Sequence, residues 1–209
     1  MTAPPPGCAK SPGDMSRPAP VGLNESMGVR LVEFSPEDVA RVEPWFDDAE
    51  TQKRLGGRDW IRRMPSLLGL TIGDEFRGRF VTGRRMWLAL DETSAPVAFV
   101  DAETYDRYSA WDGSDWDHPV VSDVVEVPSM GLSLVVDPAR RRQGYGTATI
   151  HATVAHPDLS DIRLFFGGVE ADNIASIRCL TKAGFRLRSP EPDSEGMLYY
   201  SWERWRSTS

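Results

Sequence analysis

The run MGLSLVVDPARRRQGYGTATI, residues 130–150, constrains the fold more than any other part of the chain. An apolar stretch meets a proline, three consecutive arginines and Gly144-Tyr145-Gly146, and then an alanine- and threonine-containing segment begins. A strand that ends in a glycine turn and re-enters as a helix is the unit from which α/β sheets are assembled. Threonine lowers helix propensity, yet the glycines placed after the strand still favour a helix start there.

The rest of the chain repeats that alternation. VRLVEF from Val29 has strand character. In SPEDVARV, Ser35 suits a cap, Pro36 the first helical position and Glu37 and Asp38 the positive helix end, with Pro44 limiting the helix. RDWIRRMPSLLGL places Ile61, Met64 and Leu68 on one helical face, interrupted by Pro65. RRMWLALDE and APVAFVDAETY follow as strands around a turn. A polar, aromatic-studded connection then leads to the strand before the arginines. DIRLFFGGVEA is the next strand. NIASIRCLTKAGF is a helix capped by Asn173 and stopped at Gly184, and GMLYYSWERW closes the pattern as a strand. The expectation is a mixed α/β sheet of six to seven strands with helices on both faces.

Residues 1–24 hold six of the sixteen prolines and almost no bulky apolar side chains, so they are expected to be a disordered tail before one domain over 25–209. The net charge of -7 argues against broad nucleic-acid or anionic-membrane binding. No apolar run approaches the ~18 residues that span a bilayer, and the opening residues lack a signal-peptide core. Cys8 and Cys179 are too few and too far apart for a disulfide framework, and His118, His151 and His156 form no metal motif. A cytoplasmic protein without a metal is the expectation.

Three phosphate-binding patterns compete for the arginine-glycine run. A Walker loop requires Gly, four residues and Gly-Lys-Ser/Thr, which is absent. A dinucleotide fingerprint needs a small residue where Thr149 stands and an acid after the next strand, and fits poorly. A pyrophosphate cradle of consecutive N–H groups at a helix start fits Arg141-Arg142-Gln143-Gly144-Tyr145-Gly146. An ordinary glycine turn before a helix is the plain alternative.

At these residues the chain resembles the GNAT acyltransferases. Arg141, Gly144 and Gly146 match the family's Arg/Gln-x-x-Gly-x-Gly/Ala signature. About thirty residues on, Asn173-Ile-Ala-Ser176 and Lys182-Ala-Gly184-Phe185 are similar to its second signature. The resemblance implies acetyl-CoA as co-substrate and a central strand pair that splays, with a bulge in the first strand. It implies that the backbone of Leu134, Val135 and Val136 holds the pantetheine arm and that the N–H groups from Arg142 to Thr147 hold the diphosphate. Arg141 stands in the same signature, and Asn173, Ser176 and Lys182 would line the cofactor's far side. The tyrosine that often serves as acid in that family is replaced by Leu180.

Acetyl transfer to an amine needs a proton acceptor, because an alkylammonium with pKa near ~10 carries no lone pair. Alternation in VAFVDAETY places Phe99, Asp101, Glu103 and Tyr105 on one face. Asp101, Glu103 and, further on, Glu126 are the candidate bases; rim charges are the alternative for each. From Asp91 to Glu126 there are ten acids against one arginine, among them Asp115, with Tyr105, Trp111 and Trp116 interspersed. Aromatic walls with carboxylates suit a cationic or sugar-amine acceptor. The order of segments is similar to the six-prime class of aminoglycoside N-acetyltransferases, which would imply a role in antibiotic resistance. The aspartate that class carries early in the signature strand is missing, since the chain reads Gly131-Leu132-Ser133 there. A protein N-terminal or lysine acetyltransferase and a non-catalytic CoA-binding protein are the other readings, and a homodimer is compatible with all three.

Overall fold

Ten strands and five α-helices form in the computed structural model, which describes residues 28–67, 72–112 and 120–206. In chain order they are β1 (Arg30–Glu33), α1 (Val39–Val42), α2 (Ala49–Leu55), α3 (Arg58–Arg63), β2 (Glu75–Phe76), β3 (Arg79–Leu90), β4 (Pro96–Tyr105), β5 (Tyr108–Asp112), β6 (Val120–Val125), β7 (Ser129–Val136), α4 (Tyr145–Val154), β8 (Leu164–Glu170), α5 (Ile174–Lys182), β9 (Arg186–Leu187) and β10 (Met197–Glu203). The expected tail, residues 1–24, lies outside the described residues.

The main sheet runs β1-β3-β4-β7-β8-β10-β9, with the two-residue β2 paired to β3 as an eighth strand. All its pairings are antiparallel except β7 with β8, which is parallel. The β3–β4 hairpin closes because Asp91 Oδ1 accepts the N–H groups of Thr93 (2.9 Å) and Ala95 (3.0 Å). That turn sends β4 through the centre, where every residue from Val97 to Ala102 is buried.

Helices cover both faces, as the sequence predicts. On one face Val42, Trp45, Phe46, Ile61 and Met64 pack on Met86, Leu88, Phe99 and Val135. On the other, Ile150 of α4 and Leu180 of α5 pack on Val100, Met130 and Phe165. Asn173 caps α5, its Oδ1 accepting the Ser176 N–H at 3.1 Å. At the other end Phe185 N–H donates to the Leu180 carbonyl.

Four expectations change. The segment after Ser35 is one turn of 3-10 helix, the single turn α1 and a second 3-10 stretch over Glu43–Asp47, because Pro44 cannot donate within an α-helix. Helix α2, capped by Asp48 accepting from Thr51 N–H at 3.0 Å, escaped the sequence reading. The polar connection after β4 contains a hairpin, β5–β6, which pairs only with itself. Finally, the β4–β7 register runs without a shift from Ser129 to Val136, so no bulge interrupts the signature strand on that side.

Candidate active site

Two features of the sheet define the site, a gap between β7 and β8 and a loop at the gap's open end. The parallel pair is hydrogen-bonded only over Ser129–Gly131 against Leu164–Phe166, although β7 continues to Val136 and β8 to Glu170. Beyond Gly131 the strands part, and the β8-facing edge of Leu132 to Val136 has no β8 partner. This is the splay the resemblance implies. Leu134 and Val136 are half-buried and pack with Tyr145 at the start of α4, while Val135 points into the opposite core.

The loop at the open end has an unusual backbone. Arg142 (φ 64°) and Gly144 (φ 97°) both occupy the left-handed region on either side of Gln143. Alternation of this kind turns successive N–H groups toward one concave side. Among the described residues no carbonyl or side chain accepts from the N–H groups of Gln143, Gly144, Tyr145, Gly146 or Thr147. The first helix-internal bond is Ala148 N–H to the Gly144 carbonyl. Buried orphan donors would be costly; here Gln143 and Gly144 are exposed and open to an anion. A Cβ at Gly146 would stand 2.9 Å from Cys179 Sγ and 3.4 Å from Val136, so glycine permits the close approach of α4 to α5 and β7. The residues present therefore fit a diphosphate at this loop.

The arginines divide their labour. Arg141 turns back onto α2, with Nη1 2.7 Å from Asp48 and Nη2 donating to Thr51 Oγ1 at 2.7 Å. It fastens the loop to the helical layer. Arg140 pairs with Asp91 at 3.3 Å. Arg142 is exposed, and the Gln143 amide reaches the Ala139 carbonyl at 3.3 Å.

At the closed end of the gap the register lines up Arg84, Glu103, Gly131, Phe166, Ser201 and Arg186 in a single row across β3, β4, β7, β8, β10 and β9. Arg84, absent from the sequence-derived candidates, organises the acids. Its Nε and Nη2 grip Asp101 at 2.9 and 2.7 Å, and Nη1 reaches Glu103 at 3.2 Å. The signal was present: Arg84 shares its face of β3 with Met86 and Leu88, so a charge stands in an inward-facing register. Tyr105 donates to the other Glu103 oxygen at 2.7 Å. Burial pushes the Asp101 carboxyl up despite Arg84, which pulls it down. Burial, then the Glu103 charge, pushes the Tyr105 phenol up strongly, so it stays protonated. Glu103 retains 26% side-chain exposure against 10% for Asp101.

The remaining candidates separate. Glu126 is 67% exposed and pairs with Arg107 at 3.0 Å in the β6–β7 connection; the structure does not bring it to the Arg84 network. On the far side of the gap Ser176 lies in the first turn of α5, Lys182 is exposed at its end, and Leu180 is buried in the core. Leu180 carries no hydroxyl, so the side chain at the tyrosine's position cannot act as an acid. Burial raises the Cys179 thiol above its ordinary range, which keeps it neutral. Tyr105 and Trp111 are buried rather than open to solvent, the Trp111 ring lying 4.2 Å from the Arg77 guanidinium. Asp115 and Trp116 lie outside the described residues. Also among the described residues, no group of three or more His, Cys, Asp or Glu could hold a metal, and no helix is long and apolar enough to cross a membrane.

Comparison with known proteins gives this geometry a context. Residues 60–185 match the model of the acetyltransferase (GNAT) family. The chain is 27% identical over 161 residues to the uncharacterized N-acetyltransferase YfmK of Bacillus subtilis, covering 75% of this chain and 84% of that one. The fold is similar to aminoglycoside acetyltransferase AAC(6')-Ib in complex with coenzyme A, with a TM-score of 0.62 at 19% identity over 87% of this chain and 100% of that one. It is also similar to the aminoglycoside N(6')-acetyltransferase of Legionella pneumophila, with a TM-score of 0.57 at 14% identity over 85% and 93%.

Proposed function

The chain belongs to the GNAT acetyltransferase family, and from that premise we propose that it moves an acetyl group from acetyl-CoA to a primary amine of a small or medium cationic acceptor. One observation carries the reading. A single gap between β7 and β8 has unpartnered amides at its open end and a carboxylate in register with its closed end. The amides from Gln143 to Thr147, the α4 dipole and exposed Arg142 suit the diphosphate. The free edge of β7 suits an extended arm laid along it, where an N–H can polarise the thioester carbonyl. Solved structures of similar fold were determined with coenzyme A or acetyl-CoA together with ribostamycin, kanamycin and a third aminoglycoside, which supports both substrate classes.

In this mechanism Glu103 takes the proton from the acceptor ammonium, directly or through a water, and frees the lone pair. Of the two face-mates it is the accessible one, because both oxygens of Asp101 are held by Arg84. Arg84 and the Tyr105 hydroxyl fix the Glu103 carboxylate from two sides. The amine nitrogen then bonds to the acetyl carbon, the carbon–sulfur bond breaks, and the nitrogen's second proton passes through water to the leaving thiolate, since Leu180 supplies none. Holding both reactants in line contributes much of the rate.

An acceptor panel tests the proposal. Free thiol is read after incubation with acetyl-CoA and either aminoglycosides, simple sugar amines or peptides with free N-termini and lysines. Release with the aminoglycosides or sugar amines is expected. Release with peptides alone would move the activity to protein acetylation, and tight CoA binding with no release from any amine would make the chain a binding protein.

A further inference from the structure

On the face that carries Asp101 and Glu103, the centre of the sheet is open at one point. The helical layer covers Phe99 and Val135 on one side of it, and the cluster of Val81, Tyr105, Tyr108 and Phe166 fills the other. Of all the residues in β4, β7 and β8, only Ser133 and Gly168 are exposed. Carrying the parallel register of Gly131 against Phe166 two residues further sets Ser133 opposite Gly168 across the gap. Alternation puts Ser133 on the Glu103 face, because its neighbours on either side are there. A Cβ at Gly131 would meet the Phe166 and Tyr105 rings, and Val135 packs with Phe99. An exposed hydroxyl in the middle of a covered sheet marks where the gap communicates with that face.

The hydroxyls around this opening differ in what they already hold. Tyr105 donates to Glu103 at 2.7 Å. Tyr199, in register with Gly168, has its Oη held by Arg77 Nη1 at 3.1 Å. Ser133 Oγ makes no hydrogen bond among the described residues, and Gly168 has no side chain to offer. Ser133 pairs with Asp101 and therefore stands diagonal to Glu103. Diagonal neighbours on one face of a sheet lie about 7–8 Å apart, so one amine nitrogen fits between the Glu103 carboxylate and Ser133 Oγ. The free edge of β7, on which the pantetheine arm was placed above, begins at Leu132, one residue before Ser133.

We infer that Ser133 is a catalytic residue of the acetyl transfer, the hydroxyl through which the nitrogen's second proton sets out toward the sulfur. The inference rests on the acetyl-transfer reading and adds a residue to it. Once the nitrogen has bonded to the acetyl carbon, it gives that proton to Ser133 Oγ. The Oγ gives its own proton to a water, and the water gives one to the sulfur as the carbon–sulfur bond breaks. Serine and water each lose one proton as they gain one, so both end neutral and no second base is required. The relay supplies the hydroxyl that Leu180 lacks.

Steady-state kinetics of Ser133→Ala and Ser133→Thr in the intact chain test the relay, with calorimetry for CoA affinity. The acceptors are kanamycin, glucosamine and a lysine-containing peptide with a free N-terminus, so each reading of the acceptor has a probe. Ser133→Ala is expected to lower kcat about tenfold or more with the acceptor that wild type uses. Acceptor KM and CoA affinity should stay within about twofold of wild type, a split that a disturbed fold would not give. Ser133→Thr keeps a hydroxyl on a residue that suits a strand, and should return kcat to within about threefold of wild type. Unchanged kcat in Ser133→Ala would overturn the relay. So would an effect confined to acceptor KM, or a Ser133→Thr variant as slow as Ser133→Ala. In each of those cases wild type still releases thiol, so the acetyl-transfer reading stands. Wild type that binds CoA but releases no thiol with any of the three acceptors would instead overturn that reading, and the relay with it.

Discussion

In the proposed mechanism Glu103 is the proton acceptor, held by Arg84 and Tyr105, and predictions follow at the scale of single residues. Glu103→Gln keeps the hydrogen-bonding shape but cannot take a proton, so kcat/KM is expected to fall about 10²-fold or more while acetyl-CoA affinity is unchanged. The deficit is expected to be greatest near pH 6–7 and to shrink as pH rises toward the acceptor's own pKa of about 10, where the amine loses its proton unaided. A pH–rate profile that matches wild type would remove Glu103 from the role. Tyr105→Phe deletes the 2.7 Å bond to Glu103 and is expected to cost about tenfold in kcat/KM with the fold intact, read by circular dichroism beside kinetics. Cys179, with its thiol raised by burial, is expected to resist thiol reagents at neutral pH in the folded protein and to react after denaturation.

At the scale of elements, the cradle depends on how the loop before α4 is fastened. Arg141 ties it to Asp48 and Thr51 of α2, and Asp172 joins Lys53 and Arg54 of the same helix to the segment after β8. Burial pulls the Asp48 carboxyl up, but the Thr51 N–H and the Arg141 guanidinium outweigh it and hold it below the usual carboxylate range. Asp172 is held down to about 2, first by Arg54 and then by Lys53. For depressed carboxyls the stabilisation is complete above the unfolded-state pKa and is lost as pH falls through the folded one. The α2 contacts should therefore be constant from pH 7 to pH 5 and weaken below about pH 4. An acid titration followed by near-ultraviolet circular dichroism checks this, and Asp48→Asn should remove part of the transition. These tertiary ties are what the sequence hid. Helix α2 rests on a side-chain cap and long-range ion pairs rather than on an apolar periodicity. In the hairpin β5–β6, β5 lies in the polar connection that suggested a loop, while β6 (VVSDVV) is valine-rich but sits apart from the main sheet. By contrast α4, α5 and the β7 turn were legible, because glycines, Asn173 and the apolar runs dictate local geometry directly.

For the whole molecule, the mixed α/β sheet followed from the alternation of strands and helices; the order of its strands did not. The cross-sheet row from Arg84 to Arg186 did not, because register is a property of six strands together. Sequence placed Asp101, Glu103 and Tyr105 on one face but could not say that Arg84 would hold them or that Glu126 would stand apart. The reading of residues 1–24 as a tail outside the domain predicts that their removal leaves Tm and turnover unchanged; a fall of more than about 5 °C in Tm would assign them to the fold. Everything else depends on the amides between Gln143 and Thr147 gripping the diphosphate of an acyl-CoA. Titration calorimetry of CoA into wild type and Gly144→Asp measures that most directly, because the variant sets a carboxylate among those amides at a backbone φ of 97°. Saturable one-site binding by wild type and none by Gly144→Asp is the predicted result; absence of heat with wild type, or undiminished affinity in the variant, would contradict the account.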